Sequence, residues 1–442
     1  MSQQLSAPLG WLGILRLGLV QTALGSVVVL TTAALNRIMI VEHALPAMVP
    51  GALVALHYAV QMLRPRLGHG SDQGGRRTPW IVGGMAVLGA GGILAAMATA
   101  WMGTAPMAGI VLAAVAFILV GLGVGAAGTS LLVLLAARVA PARKPAAASI
   151  VWIMMIAGFV VTTATTGRLL DPYSPERLVA ITAAVAAIAF VVSLLAIFGI
   201  EGRGSERAGT AAPRTPFMVA LREVWAEPVA RHFTIFVFIS MLAYSAQDLI
   251  LEPFAGAVFG MTLGESTRLS SLQHGGVLAG MILVAVIGSF ARGSLWALRG
   301  WIVGGCLMAC AALIALGFAH RATADFPLRT AFFLLGIANG TFAAAAIAAM
   351  MQLVASGRPG REGVRMGMFG AAQAIAFGLG GFLGTVILDL GRLATGSVAG
   401  GYGVVFLADA GLFLVAAALA LRIGKAAQSS RDGFGHAATA AS

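Results

Sequence analysis

EGRGSERAGTAAPRTPFMVALREVWAEPVAR, residues 201–231, is the longest polar stretch of the chain, and its reading decides the fold. It mixes Gly, Pro and charges of both signs, while the sequence on either side is dominated by apolar runs. On its N-terminal side these runs occupy 15–40, 47–63, 80–101, 108–136, 147–169 and 178–200. On its C-terminal side they occupy 232–258, 269–290, 300–319, 328–355, 364–388 and 402–422. Each approaches the roughly 20 residues that carry a helix across a ~30 Å hydrocarbon core. The runs are continuous and rich in Leu, Ala, Val and Gly, without the alternation of barrel strands. In lipid every backbone donor and acceptor needs an internal partner. The prediction is an all-α polytopic membrane protein of about twelve transmembrane helices in two six-helix halves, residues 1–200 and 232–424. Residues 201–231 link them, with LREVW as a short surface helix, and 425–442 form a tail.

Composition agrees. Of 442 residues, 59% are hydrophobic and only 10% charged, with a mean hydropathy of +0.93. A soluble domain keeps about a quarter of its residues charged. The net charge of +12 would suggest nucleic acid in a soluble protein. Here the basic residues lie in short loops after even-numbered spans, among them Arg76, Arg77, Arg138, Arg143 and Arg231. Loops after odd spans are poor in basic residues and hold Glu42, Asp171, Glu252, Glu265 and Asp389. Basic loops mark the cytoplasmic side, so both termini and the linker are predicted cytoplasmic. The partner is then a lipid bilayer, and nucleic acid is excluded. The first residues lack the basic region and cleavage site of a signal peptide, so the first span is expected to be retained. Cys306 and Cys310 share one helix face with no further ligand nearby, which reads as packing rather than a metal site.

Two echoes point to duplication. Arg37 and Glu42 end span 1 as Asp248 and Glu252 end span 7, and GRLLD ending at Asp171 resembles GTVILD ending at Asp389. The loop after span 2 reads Gly68-His-Gly-Ser-Asp72-Gln-Gly-Gly75-Arg76-Arg77. It resembles the G-x-x-x-D-[RK]-x-G-[RK]-[RK] signature of major facilitator transporters, departing from it at Gln73. Gly68, Asp72, Gly75, Arg76 and Arg77 are thus candidates for a cytoplasmic gate loop, or simply a polar loop with topogenic arginines.

Asp248 and Glu252 share a helix face, just before Pro253, which is expected to end or bend span 7. A carboxylate at membrane depth is costly unless paired, protonated or wet. Arg37 sits at comparable depth in span 1. The expectation is an intramembrane charge cluster of Arg37, Glu42, Asp248 and Glu252, with Arg37 paired to Asp248 or Glu252 across the halves. The alternative is a set of interfacial acids facing headgroups. His57, mid-span in GALVALHYAVQML, and His274 are either ligands or histidines bonded to a neighbouring helix.

LNRIMIVE at 35–42, RPRLGHGSD at 64–72, AQDLILEPFAGAVFGM at 246–261 and GMFGAAQAIAFGLGGFLG at 367–384 resemble the PucC/LhaA family. That family is the bacteriochlorophyll-delivery branch of the major facilitator superfamily in phototrophic bacteria. The resemblance covers nearly the whole chain. It implies a non-enzymatic assembly factor for light-harvesting complexes in the bacterial inner (intracytoplasmic photosynthetic) membrane. Bacteriochlorophyll is the implied cargo or bound pigment. Antenna or reaction-centre polypeptides, or bacteriochlorophyll synthase, are the implied partners. Pigment-binding candidates are His57, Asn36, Gln247 and His274, with His57 a possible ligand for the chlorin magnesium and no other metal expected. The rival readings are a proton-coupled transporter of a small solute, with Asp248 or Glu252 as proton carrier, and a pigment-free chaperone for antenna helices.

Overall fold

The computed structural model describes residues 9–62, 76–140, 143–201, 217–290, 295–321, 323–356 and 362–439. All regular structure among them is helical. The membrane helices are α1 (Trp11–Glu42), α2 (Met48–Gln61), α3 (Thr78–Met102), α4 (Pro106–Arg138), α5 (Lys144–Leu169), α6 (Pro175–Ile197), α7 (Pro228–Phe259), α8 (Leu263–Phe290), α9 (Leu295–Phe318), α10 (Leu328–Ser356), α11 (Glu362–Thr395) and α12 (Val398–Thr439). Eleven are long and apolar enough to cross a bilayer, and α2 is a shorter apolar helix of 14 residues. The chain is a multi-pass membrane protein, as its composition predicts. Leu12, Met107, Leu195 and Leu393 project from it, more than two thirds exposed, as side chains facing lipid tails would.

The helices pack twice in the same pattern. In the first six, α3 lies against α4 and α6, α1 against α5 and α6, and α2 against α4. In the second six, α9 lies against α10 and α12, α7 against α11 and α12, and α8 against α10. Between the sets the exchange is reciprocal: α2 packs on α11, and α5 on α8. Without a hydrophobic drive inside lipid, such contacts depend on small residues that let backbones touch. At Gly340 a Cβ would stand 2.0 Å from the carbonyl oxygen of Val277, so only glycine permits the α8–α10 approach.

A connector helix, Phe217–Ala226, sits where LREVW predicts it, with Val224 buried and Trp225 exposed. Odd-numbered helices end on the face that carries Glu42, Asp171 and Asp389, here the acidic face. Even-numbered helices end on the basic face. Of the two outcomes expected at Pro253, an end or a bend, the helix does not end there. The helix runs six residues further and stops at Gly260, whose φ of 66° suits a residue without a Cβ.

Candidate functional site

The two most distinctive sequence blocks meet where α1 crosses α7. Proline has no N–H, so Pro253 leaves the carbonyl of Leu249, four residues earlier, without its helical donor. Asn36 of α1 supplies one: its Nδ2 donates to that carbonyl. The next residue of α1, Arg37, is 1% exposed. Its Nη2 donates to the carbonyl of Met261 at 2.7 Å, just past the end of α7. Its guanidinium lies against Gly256, where a Cβ would come within 2.9 Å of Nη2. Two single π-helical turns, Leu30–Ala34 and Ile38–Glu42, bracket Asn36 and Arg37 and aim both at α7.

The expected Arg37 pair with Asp248 or Glu252 is corrected by this geometry. Arg37 Nη1 bonds Glu42 Oε1 at 2.5 Å. The π turn explains the choice, because its i→i+5 repeat stacks residue 42 over residue 37. Glu252 instead accepts from Thr267 Oγ1 at 2.5 Å and Ser270 Oγ at 2.9 Å, both on α8. It ties α7 to α8 within the second set of helices.

The echo between Asp171 and Asp389 resolves into a pair of reciprocal caps. At the end of α11, Asp389 accepts from the amides of Ala47 (3.1 Å) and Met48 (2.8 Å), capping α2. Beyond the end of α5, Asp171 accepts from Thr262 Oγ1 (2.7 Å) and the Gly264 amide (3.3 Å), capping α8. Carboxylates are favoured there because the first amides of a helix lack partners and the helix dipole is positive at that end. Each cap joins one set of helices to the other, and each has an arginine beside it: Arg392 at 3.5 Å from Asp389, Arg268 at 4.0 Å from Asp171. Space at the second cap is minimal, since a Cβ on Gly264 would lie 2.2 Å from the Gly167 carbonyl oxygen. The acidic face is therefore closed.

Beneath this closure lies a cavity between the two sets, about 30 Å³ in volume and lined by Thr32, Phe159, Asp248, Gln273, His274 and Phe332 among others. It has room for water and little more. Asp248 of α7 and His274 of α8 both line it. His274 Nδ1–H donates to the Ser270 carbonyl at 2.8 Å, leaving Nε2 as the acceptor of the neutral ring. Phe159 of α5 stands edge-on to the ring at 5.2 Å.

The four pigment-ligand candidates do not converge. His274 faces the cavity, Asn36 is committed to α7, and Gln247 points into the core of the second set. His57, on α2, has its Nε2 2.7 Å from Gln61 Nε2 and its ring edge-on to Tyr58. Tyr58 stacks on Phe377 of α11 at 5.6 Å, so this stretch belongs to the α2–α11 seam. Sequence reading also passed over a buried acid, Asp409 in the middle of α12, 2% exposed. Its signal was available, as a single carboxylate inside VVFLADAGLFLV.

At the basic face, Gly68, Asp72 and Gly75 of the candidate gate loop lie outside the described residues. Arg77 and Thr78 begin α3, and their amides donate to Glu201 at 2.6 and 2.7 Å, with Thr78 Oγ1 adding a third bond at 2.7 Å. Burial raises the Glu201 pKa, but these bonds and nearby Arg76 outweigh it and hold the carboxyl below its ordinary value. Glu227 makes the comparable tie in the second set, gripping Arg365 through two oxygens at 2.7 and 2.9 Å.

Comparison with solved structures places the fold among transporters. A bacterial homolog of the human lysosomal transporter Spinster, in an inward-facing and unoccupied conformation, matches with a TM-score of 0.66 and 16% identity, over 94% of this chain and 96% of that one. A peptide transporter, POT, matches with a TM-score of 0.70 and 14% identity, over 95% and 98%. Sequence relatives are closer. The "Bacteriochlorophyll synthase 44.5 kDa chain" of Rhodobacter capsulatus is 51% identical, over 96% of this chain and 98% of that protein. "Protein PucC" of the same organism is 29% identical, over 92% and 91%. The model of the PUCC protein family matches residues 34–428, a span that holds both halves of the α1–α7 interlock and both caps. This chain is a member of the PucC family, built on the major facilitator fold.

Proposed function

We propose that this chain is a non-catalytic assembly factor that binds or delivers bacteriochlorophyll to light-harvesting complexes. Its place would be the inner, intracytoplasmic photosynthetic membrane, with the basic face and both termini in the cytoplasm. The observation that carries the reading is the 51% likeness, end to end, to a relative named as a bacteriochlorophyll synthase chain. The fold adds that such a chain is built like a transporter rather than like a soluble synthase. Its partners would be antenna or reaction-centre polypeptides, or the synthase that esterifies the pigment.

The geometry constrains how pigment is handled. A ligand of drug size takes a pocket of roughly 300–1,000 Å³, and a tailed chlorin needs at least that. The central cavity of about 30 Å³ cannot hold it in this conformation. A flat, apolar pigment would instead enter sideways from lipid, at the α2–α11 seam, where Tyr58 and Phe377 offer stacked rings. His57 lies beside them and could ligate the magnesium once Gln61 turns away.

The test is to purify the protein in mild detergent, record its absorption spectrum and extract the pigment. Near-stoichiometric bacteriochlorophyll that is lost in His57→Ala supports the reading. A colourless protein that still co-purifies with antenna or synthase subunits replaces it with a pigment-free chaperone.

One observation favours a second reading, proton-coupled transport of a small solute. Asp248 and His274 both line a water-sized cavity between the two sets of helices, where a proton carrier would sit. Full activity of Asp248→Asn across a pH range would remove it.

A further inference from the structure

Three side chains deep in the second set of helices carry polar atoms that no described residue satisfies. Gln247 on α7 is 1% exposed, Asn339 on α10 is 0% and Asp409 on α12 is 2%. Both amide atoms of Gln247, both of Asn339 and Oδ2 of Asp409 are buried without a hydrogen-bond partner. Among the described residues Asp409 forms no ion pair. Buried polar atoms without a partner are rare and expensive, and a lone carboxylate in a membrane helix is more so.

The three lie at a similar depth, where aromatic side chains of their helices meet. Aromatic contacts fix the register: Phe254 of α7 meets Phe406 of α12 at 4.9 Å, Phe413 of α12 meets Phe342 of α10 at 5.5 Å, and Phe342 meets Tyr244 of α7 at 6.4 Å. Asp409 falls between Phe406 and Phe413 on the same stripe of α12. Gln247 falls between Tyr244 and Phe254 on α7, on the stripe that faces α12. Asn339 is one turn before Phe342. With a rise of 1.5 Å per residue, the three side chains fall within roughly 6 Å of one another in depth. Their chain neighbours Ala246, Ala338 and Ala410 are buried apolar residues.

We infer that Gln247, Asn339 and Asp409 form a binding site for a small monovalent cation, Na⁺ with its own water, inside the second set of helices. Asp409 supplies one negative charge, matched by one positive charge. The amide oxygens Oε1 of Gln247 and Oδ1 of Asn339 supply neutral oxygen ligands, and the amide N–H groups are left for the ion's water. A divalent ion would carry a charge this site cannot neutralise. Occupancy would bind α7, α10 and α12 to one another from within. None of the three lines the central cavity, and the inference does not rest on pigment handling.

The test is the melting temperature of the full-length protein in detergent, titrated with NaCl against choline chloride at constant ionic strength and pH. The expected result is a Na⁺-specific rise of about 2–4 °C at saturation, abolished in Asp409→Asn and reduced in Asn339→Leu, which also covers the case in which the first variant fails to fold. Equal melting in Na⁺ and choline would overturn the inference, as would a Na⁺ effect that persists undiminished in both variants. A stabilisation that follows pH and ignores Na⁺ would also overturn it, assigning Asp409 a proton instead.

Discussion

The two faces of this molecule are held in different ways. At the acidic face several polar bonds cross between the two sets of helices: Asp389 caps α2, Asp171 caps α8, and Arg37 of α1 bonds the carbonyl of Met261 beyond α7. At the basic face, the ties of Glu201 to α3 and of Glu227 to Arg365 each stay within one set. A closed face needs contacts that cross the pseudo-two-fold axis, whereas a face that opens needs each half to keep its own shape. The difference describes a transporter-like body closed on the acidic side. A solved neighbour of the same fold is inward-facing.

The comparison can be broken most forcefully at Arg37. Arg37→Leu removes the bond to Met261 and leaves Glu42 without its partner. The expected loss is about 1.5–3 kcal/mol, the range for hydrogen bonds to charged groups. A fall in melting temperature checks it, together with new reactivity of a cysteine placed beneath the acidic face. Asn36→Leu comes next, since it strands the Leu249 carbonyl beside Pro253; about 1–2 kcal/mol is expected, read by the same melting assay.

The two caps sharpen the symmetry. Asp171→Ala and Asp389→Ala should each cost about 1 kcal/mol, the usual value of a capping side chain, and the double variant about the sum. A single variant that did everything would show that only one cap holds the face shut. The smallest effect belongs to the basic face. The Glu201 carboxyl is held below its ordinary pKa, so its contribution is present above the ordinary glutamate range, about 4.3, and fades as pH falls through the folded-state value. Wild-type protein should therefore lose slightly more stability on acidification than Glu201→Gln, with no change at the acidic face. Melting curves across that pH window check both.

Much of this was legible in sequence. Run length and hydropathy are enough to predict twelve helices, because lipid leaves helices little alternative. The GRLLD and GTVILD echo marked the two caps without saying what they cap, since a cap is defined by the helix it meets. Of the expected charge cluster only the Arg37–Glu42 ion pair forms, while Glu252 bonds α8 and Asp248 lines the cavity. Residue spacing assumes a regular helix, and α1 has two π turns that carry Glu42 onto Arg37. Pro253 was expected to end or bend α7; the helix continues through it, and the carbonyl it frees is satisfied by Asn36 from another helix. Asp409 was missed because one acid in a long apolar run looks like an interruption until its burial is known. The pigment-ligand candidates were chosen by residue type alone, and type cannot say that Asn36 is already engaged or that Gln247 faces a different core.

The most direct test of the closed acidic face is a distance. Spin labels at Thr104, between α3 and α4, and Thr323, between α9 and α10, report the gap between the two sets of helices at that face; both positions are exposed. The prediction is a single short distance distribution in the wild-type background, moving to longer distances in the Asp171→Ala, Asp389→Ala double variant. Broad or long distances in the wild-type background, or no change on removing both caps, would contradict the account that these reciprocal caps keep the face closed.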